Sequence, residues 1–184
     1  KKYISKTHYF EDKLINDLES ISIDFKNNIL NNRFEVHLNG ISVENKIRSL
    51  EVSNLVSRLA TFAELRKRMV ATQHELGNEK GIIMDGRDIG TVVFPNAELK
   101  FFLESSLKLR AKRRYDELTL INENITYNQV LKNINLRDSQ DINRSNSPLK
   151  KASDAILINT DQLTLDELEI KLLSFINPLI SKNL

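Results

Sequence analysis

The chain has no cysteine and no tryptophan, and its 184 residues include only five glycines and three prolines. The absence of cysteine excludes disulfides and thiolate-bound metals. The three histidines, His8, His37 and His74, are widely separated and form no HxxxH-type pair, so no histidine metal site is expected. No apolar run approaches the length of a membrane span, and we expect neither a membrane segment nor a signal peptide, a pattern compatible with the cytoplasm. Charge of one sign is also scarce. The formal net charge is only +2, so any nucleic-acid partner would require a local basic patch.

Against this background, hydrophobic residues make up 40% of the chain and charged residues 28%. That balance suits a globular domain with a sizeable core and room for an inserted lobe. With glycine so sparse, the stretch that concentrates it stands out: Gly81-Ile82-Ile83-Met84-Asp85-Gly86-Arg87-Asp88-Ile89-Gly90-Thr91-Val92-Val93-Phe94-Pro95. The apolar run at 82–84 reads as a strand buried on both faces. Two acids and an arginine then follow within four positions. In open α/β sheets the carboxyl ends of strands are where ligands bind. A turn held only by a structural Arg–Asp pair fits the same residues.

The remaining pattern divides in two. Residues 8–19 read as a helix with Phe10, Leu14, Ile15 and Leu18 on one stripe. Alternation at 21–25 and 33–38, Asn27-Asn28 and Asn31-Asn32 as turn punctuation, and Asn39-Gly40 before Ile41 predict a small antiparallel sheet of about three strands. Helical periodicity runs from 44 to about 75, with Gly77 as a stop. After Pro95, apolar runs at 99–103 and 155–158 predict two further buried strands. A long helix capped by Ser105 or Ser106 separates them, and it places Arg110, Arg113 and Arg114 at i, i+3 and i+4. That cluster reads equally as a solvated face paired with Asp116 and Glu117 or as an anion clamp. Thr126…Gln129 and Thr164…Glu167 are capping-box patterns that open two more helices. Alternation of strand and helix in the second half is the signature of an α/β layer fold with a parallel sheet.

The run Gly86-Arg87-Asp88-Ile89-Gly90-Thr91-Val92-Val93-Phe94-Pro95, followed by Leu99-Lys100-Phe101-Phe102-Leu103 and Arg110-Ala111-Lys112-Arg113-Arg114, resembles bacterial cytidylate (CMP/dCMP) kinases. The similarity runs from about residue 41 to the C-terminus and includes Arg66, Gln73 and the Arg137-Asp138…Asp141…Arg144 run. It implies a P-loop-kinase-like parallel sheet flanked by helices, with a small antiparallel lobe for the nucleoside monophosphate and a helical, arginine-bearing lid. The corresponding division is a lobe at 1–62 and a kinase core at 63–184, with the lid at about 108–126. One departure is large. No glycines form the phosphate loop G-x-x-x-x-G-K-[ST]. Together with the opening Lys1-Lys2-Tyr3, this reads as a fragment without its P-loop strand, and a pseudo-enzyme is the alternative. Such a fragment is expected to lack useful kinase activity alone and to expose sheet edges that pair with a second copy, although the family implies a monomer.

The resemblance also implies roles for individual residues. Asp88 and Arg66 would read the cytosine edge, with Ser57 adding a hydroxyl. Asp141 would hold the ribose, and Arg87 and Arg144 the CMP phosphate. Arg110 and Arg114, with Arg87, would serve the transferring phosphoryl group. The substrates implied are CMP or dCMP and ATP, with Mg²⁺ arriving on ATP and no metal-binding residue identified in the chain. Two other functions were weighed: a catalytically dead nucleotide-binding module, and a nucleic-acid-binding module using the 110–114 arginines with Lys67 and Arg68. The latter lacks interleaved aromatics.

Overall fold

The computed structural model describes residues 11–29, 33–78, 80–120 and 124–181. It divides into two compact units, one comprising residues up to 82 together with 144–146, the other residues 83–143 and 147–184.

The first unit opens with α1 (Glu11–Asp17), which continues into a short 3-10 turn, Leu18–Ser20. The part of the expected helix before residue 11 lies outside the described residues. Leu14 and Leu18 are buried from this segment. Three antiparallel strands follow in the order β1 (Ile23–Asn28), β2 (Arg33–Leu38) and β3 (Ile41–Ser42). The Asn39-Gly40 turn works as its sequence predicts. Both residues take positive φ, 49° and 78°, as a two-residue hairpin with the right twist requires. Asn27 and Asn28 differ from expectation: they lie within β1, paired with Phe34 and Arg33. Ladder hydrogen bonds to β2 override the turn preference of asparagine there. Asn31 and Asn32 lie outside the described residues.

Pairing of Ile23 with Leu38, Phe25 with Val36 and Leu38 with Ile41 places the apolar residues of all three strands on one face. That face is largely open in this unit: Phe34 is 70% and Ile41 68% exposed. Helices α2 (Glu44–Ile47), α3 (Leu50–Leu59) and α4 (Ala63–Gly77) complete the unit. Glu44 ties α2 to the sheet by accepting from the Val36 N–H at 3.2 Å. Its hydrogen bond from Arg48, followed by that from Val36, holds its carboxyl below the usual range.

The second unit holds the parallel pair β4 (Phe101–Glu104) and β5 (Ile156–Asn159), with Phe101 opposite Ile156 and Glu104 opposite Asn159. Around them lie α5 (Leu107–Leu120), α6 (Tyr127–Asn143) and α7 (Leu165–Ile180). The capping boxes form as expected. Gln129 accepts from the Thr126 N–H at 2.8 Å, and Glu167 accepts from the Thr164 N–H at 2.8 Å. Ala111, Leu118 and Val130 are fully buried on α5 and α6. Tyr115 and Tyr127 meet edge to face at 6.2 Å, and Phe101 meets Phe175 of α7 at 5.8 Å. A fully buried leucine such as Leu118 contributes about 1.5–3 kcal/mol over its exposed state.

Residues 82–84 depart from expectation, because they form no strand. Ile82 is 44% and Ile83 92% exposed. A strand buried on both faces needs ladder partners, and among the described residues β4 and β5 pair only with each other. Helix α5 is also started differently. Among the described residues, neither Ser105 nor Ser106 caps it with a side-chain oxygen. Instead the Asp161 carboxylate, from the loop after β5, accepts from the Ser105 hydroxyl at 2.8 Å and the Ser106 N–H at 2.7 Å. These bonds, the backbone one first, hold Asp161 below the usual carboxylate range.

Candidate active site

The Gly86-to-Pro95 stretch folds as a single π-helical turn over Ile89–Val93. The Asp88 carbonyl accepts from the N–H groups of Thr91, Val92 and Val93, and that of Ile89 from Phe94. Gly90 makes a close approach: a Cβ there would lie 3.2 Å from Cδ of Lys100, and the lysine side chain would have to shift by a few tenths of an ångström. Lys100 is itself buried and pairs with Asp154 at 2.7 Å. The turn so anchored buries Asp88, which is 4% exposed, and presents Arg87 beside α6.

There the arginines and acids converge. Arg87 Nε stands 3.2 Å from Asp141 Oδ2, and its Nη1 stands 3.7 Å from Asp138 Oδ1. Arg110 of α5 donates from Nη1 to Asp138 Oδ2 and from Nε to the Ser105 carbonyl at 3.0 Å. Arg137 lies one turn from Asp141 on α6, with Nε 3.9 Å from Oδ2. Asp141 is 2% exposed. Burial, and then the neighbouring Arg87 charge, push the Arg137 guanidinium below its ordinary range, while Asp141 and Asp138 pull it back up. Three guanidiniums thus share two carboxylates. Planar guanidiniums match phosphate oxygens two at a time, so the chemistry of such a cluster suits an anion.

The other arginines of α5 separate by role. Arg114 pairs with Glu117 at 2.8 Å, and Lys112 with Asp116 at 2.5 Å, so the solvated-face pattern describes part of this helix. Arg113 donates to the Thr160 carbonyl at 2.9 Å and joins α5 to the loop after β5.

Arg66 and Gln73 lie seven residues apart on α4, a spacing that places both on one helix face, and each has a buried polar atom. Ser57 falls in α3, and its side chain lies outside the described residues. Arg144 follows α6 directly and groups with the first unit. Sequence reasoning assigned no role to Arg137 or Asp138. The signal was present, since Arg137 and Asp141 at i, i+4 share a helix face.

Fold and cluster together define an α/β protein with a half-buried network of arginines and carboxylates beside its parallel strands. The family model described as cytidylate kinase matches residues 4–177. The cytidylate kinase of Flavobacterium psychrophilum is 46% identical over 166 residues, covering 90% of this chain and 74% of that protein. That of Flavobacterium johnsoniae is 45% identical over 179 residues, covering 97% and 78%. A bifunctional pantoate ligase/cytidylate kinase of Prochlorococcus marinus is 44% identical over 179 residues, covering 97% of this chain and 35% of that protein. The chain belongs to the cytidylate kinase family. These are nucleoside monophosphate kinases of the P-loop kinase fold, which use ATP as phosphoryl donor. Among the described residues no helix is long and apolar enough to cross a membrane.

Proposed function

We propose that this chain carries the acceptor site of a kinase that transfers the γ-phosphate of ATP to CMP or dCMP, giving CDP or dCDP, and that the Arg87–Arg110–Arg137 cluster handles the phosphates. The observation that carries this reading is the excess of guanidinium over carboxylate around Asp138 and Asp141. Phosphoryl transfer depends mainly on positioning and on neutralising charge spread over the transferring group. Arg87 is assigned to the CMP phosphate, together with Arg144. Arg110, with Arg114, is assigned to the transferring group. Asp141 is oriented by Arg87 and accepts from the ribose hydroxyls.

Cytosine offers an amino donor at N4 and acceptors at N3 and O2. Asp88 is assigned to the donor, and Arg66 and Ser57 to the acceptors. Uracil presents a carbonyl where cytosine has its amine, and a carboxylate repels it. Mg²⁺ entering with ATP would neutralise charge on the β and γ phosphates. Asp138 and Asp141 already face arginines, so this cluster fits phosphates rather than a metal. We further assign residues 1–62 to a monophosphate lobe and 63–184 to the core, with α5 in the lid, and place the protein in the cytoplasm as a monomer.

A nucleic-acid-binding module has no observation in its favour. Arg110 and Arg113 are turned to Asp138 and Thr160 rather than presented as a basic stripe. The test is calorimetric titration with CMP and with UMP. CMP should bind about 10- to 100-fold tighter than UMP, and Asp88→Ala should erase that preference. Equal affinity for the two nucleotides would overturn the assignment of Asp88.

A further inference from the structure

We propose that Asp138 is a positioning residue for phosphoryl transfer, dividing its carboxylate between Arg110 and Arg87 and so fixing the arginine assigned to the transferring group beside the one assigned to the CMP phosphate. The inference rests on the reading of this cluster as the phosphate site. Asp138 sits on α6, Arg110 on α5 and Arg87 in the glycine-bounded turn, so one carboxylate joins three segments of the unit. Its two oxygens are used differently. Oδ2 accepts from Arg110 Nη1. Oδ1 is buried, accepts no hydrogen bond among the described residues, and faces Arg87 Nη1 at 3.7 Å. That distance is too long for a hydrogen bond but short enough for strong Coulomb attraction.

Each arginine is therefore held from one side. Arg110 is fixed at Nε by the Ser105 carbonyl and at Nη1 by Asp138. Arg87 is held at Nε by Asp141. A guanidinium has five N–H donors in a rigid fork. Two anchored nitrogens set the plane of Arg110 and leave its other donors for a phosphate, whereas Arg87 is drawn toward Asp141 and Asp138 by charge. Without Asp138, Arg110 keeps only its backbone contact and swings with its long side chain. A carboxylate in an anion site has an opposite effect on binding, because its negative charge repels the incoming phosphate. Loss of Asp138 should therefore weaken turnover and strengthen phosphate binding. A merely structural ion pair would weaken both.

The experiment joins an upstream phosphate-loop segment to the chain and compares the unaltered sequence with Asp138→Asn, Asp138→Glu, Arg110→Ala and the Asp138→Asn/Arg110→Ala double variant. CMP affinity is read by calorimetry, and turnover is read with ATP and Mg²⁺. For Asp138→Asn we expect CMP to bind as tightly or up to about fivefold tighter, while kcat falls about 10- to 100-fold. Asp138→Glu should recover part of the kcat. The double variant should be no slower than Arg110→Ala alone, because the two residues act as one unit. A drop in CMP affinity for Asp138→Asn, an unchanged kcat, or additive losses in the double variant would overturn the proposal. If Arg110→Ala leaves kcat unchanged, the phosphate-site reading of Arg110 fails first, and the role of Asp138 falls with it.

Discussion

The two units use the same kinds of residue in opposite ways. In the antiparallel unit, charged side chains pair locally and the apolar face of the sheet stands open, with Phe25, Phe34, Leu38 and Ile41 all more than two-fifths exposed. In the unit of α5 and α6, Val93, Ala111, Leu118, Val130 and Ile158 are enclosed, although Leu103 and Leu157 of the strands are half exposed, and charged residues go inside with them. Asp88, Lys100 and Asp141 are all under 9% exposed. Burying ions is costly unless partners are fixed close by. The lesson is that the second unit uses its packing to hold charge in place, whereas the first keeps its charges at the surface.

The largest effect should come from cutting the buried charge network. Asp141→Ala removes the carboxylate between Arg87 and Arg137 and leaves less negative charge among the buried arginines. We expect a loss of about 2–4 kcal/mol in urea unfolding, together with loss of CMP binding. A stable variant that still binds CMP would show that the cluster is an ordinary surface network. The next contrast tests packing. Leu118→Ala in the closed core should cost about 2–5 kcal/mol, whereas Phe34→Ala on the open sheet should stay within about 0.5 kcal/mol. Similar costs at both positions would mean that the sheet face is covered in solution, and the comparison would collapse.

A smaller effect is expected from pH. Glu44 in the first unit and Asp161 in the second are both held below their ordinary values, 4.5 and 3.8, by hydrogen bonds. A lowered carboxyl stabilises the folded state above its unfolded value and loses that contribution as pH falls through its folded value. Thermal unfolding followed downward from about pH 5 should show falling stability in both units. Asp161→Asn should flatten part of this slope and Glu44→Gln another part. A slope untouched by either variant would place the acid sensitivity elsewhere.

Much of the local structure was legible in the sequence because its causes are local. Asn39-Gly40 turns because both residues tolerate positive φ, and Thr164…Glu167 opens α7 because side chain and backbone lie three residues apart. The family was legible because the motif around Gly86-Arg87-Asp88 is long and specific. The run at 82–84 was misread because its composition describes a buried strand but says nothing about whether ladder partners exist. The cap of α5 was missed for a similar reason: Asp161 is 55 residues from Ser106. The pairing of Arg110 with Asp138, 28 residues apart, was equally invisible, since two candidate partners, Asp116 and Glu117, lay nearer along the helix.

By itself the sequence determined the identity of the helices, the hairpin turn, two buried strands around 99–103 and 155–158 and the family, all of which follow from short-range preferences or from an unbroken motif. Only the tertiary structure decided which arginines answer to which carboxylates. Charge pairing depends on distance and burial, and those arise when α5, α6 and the turn after Gly86 pack together.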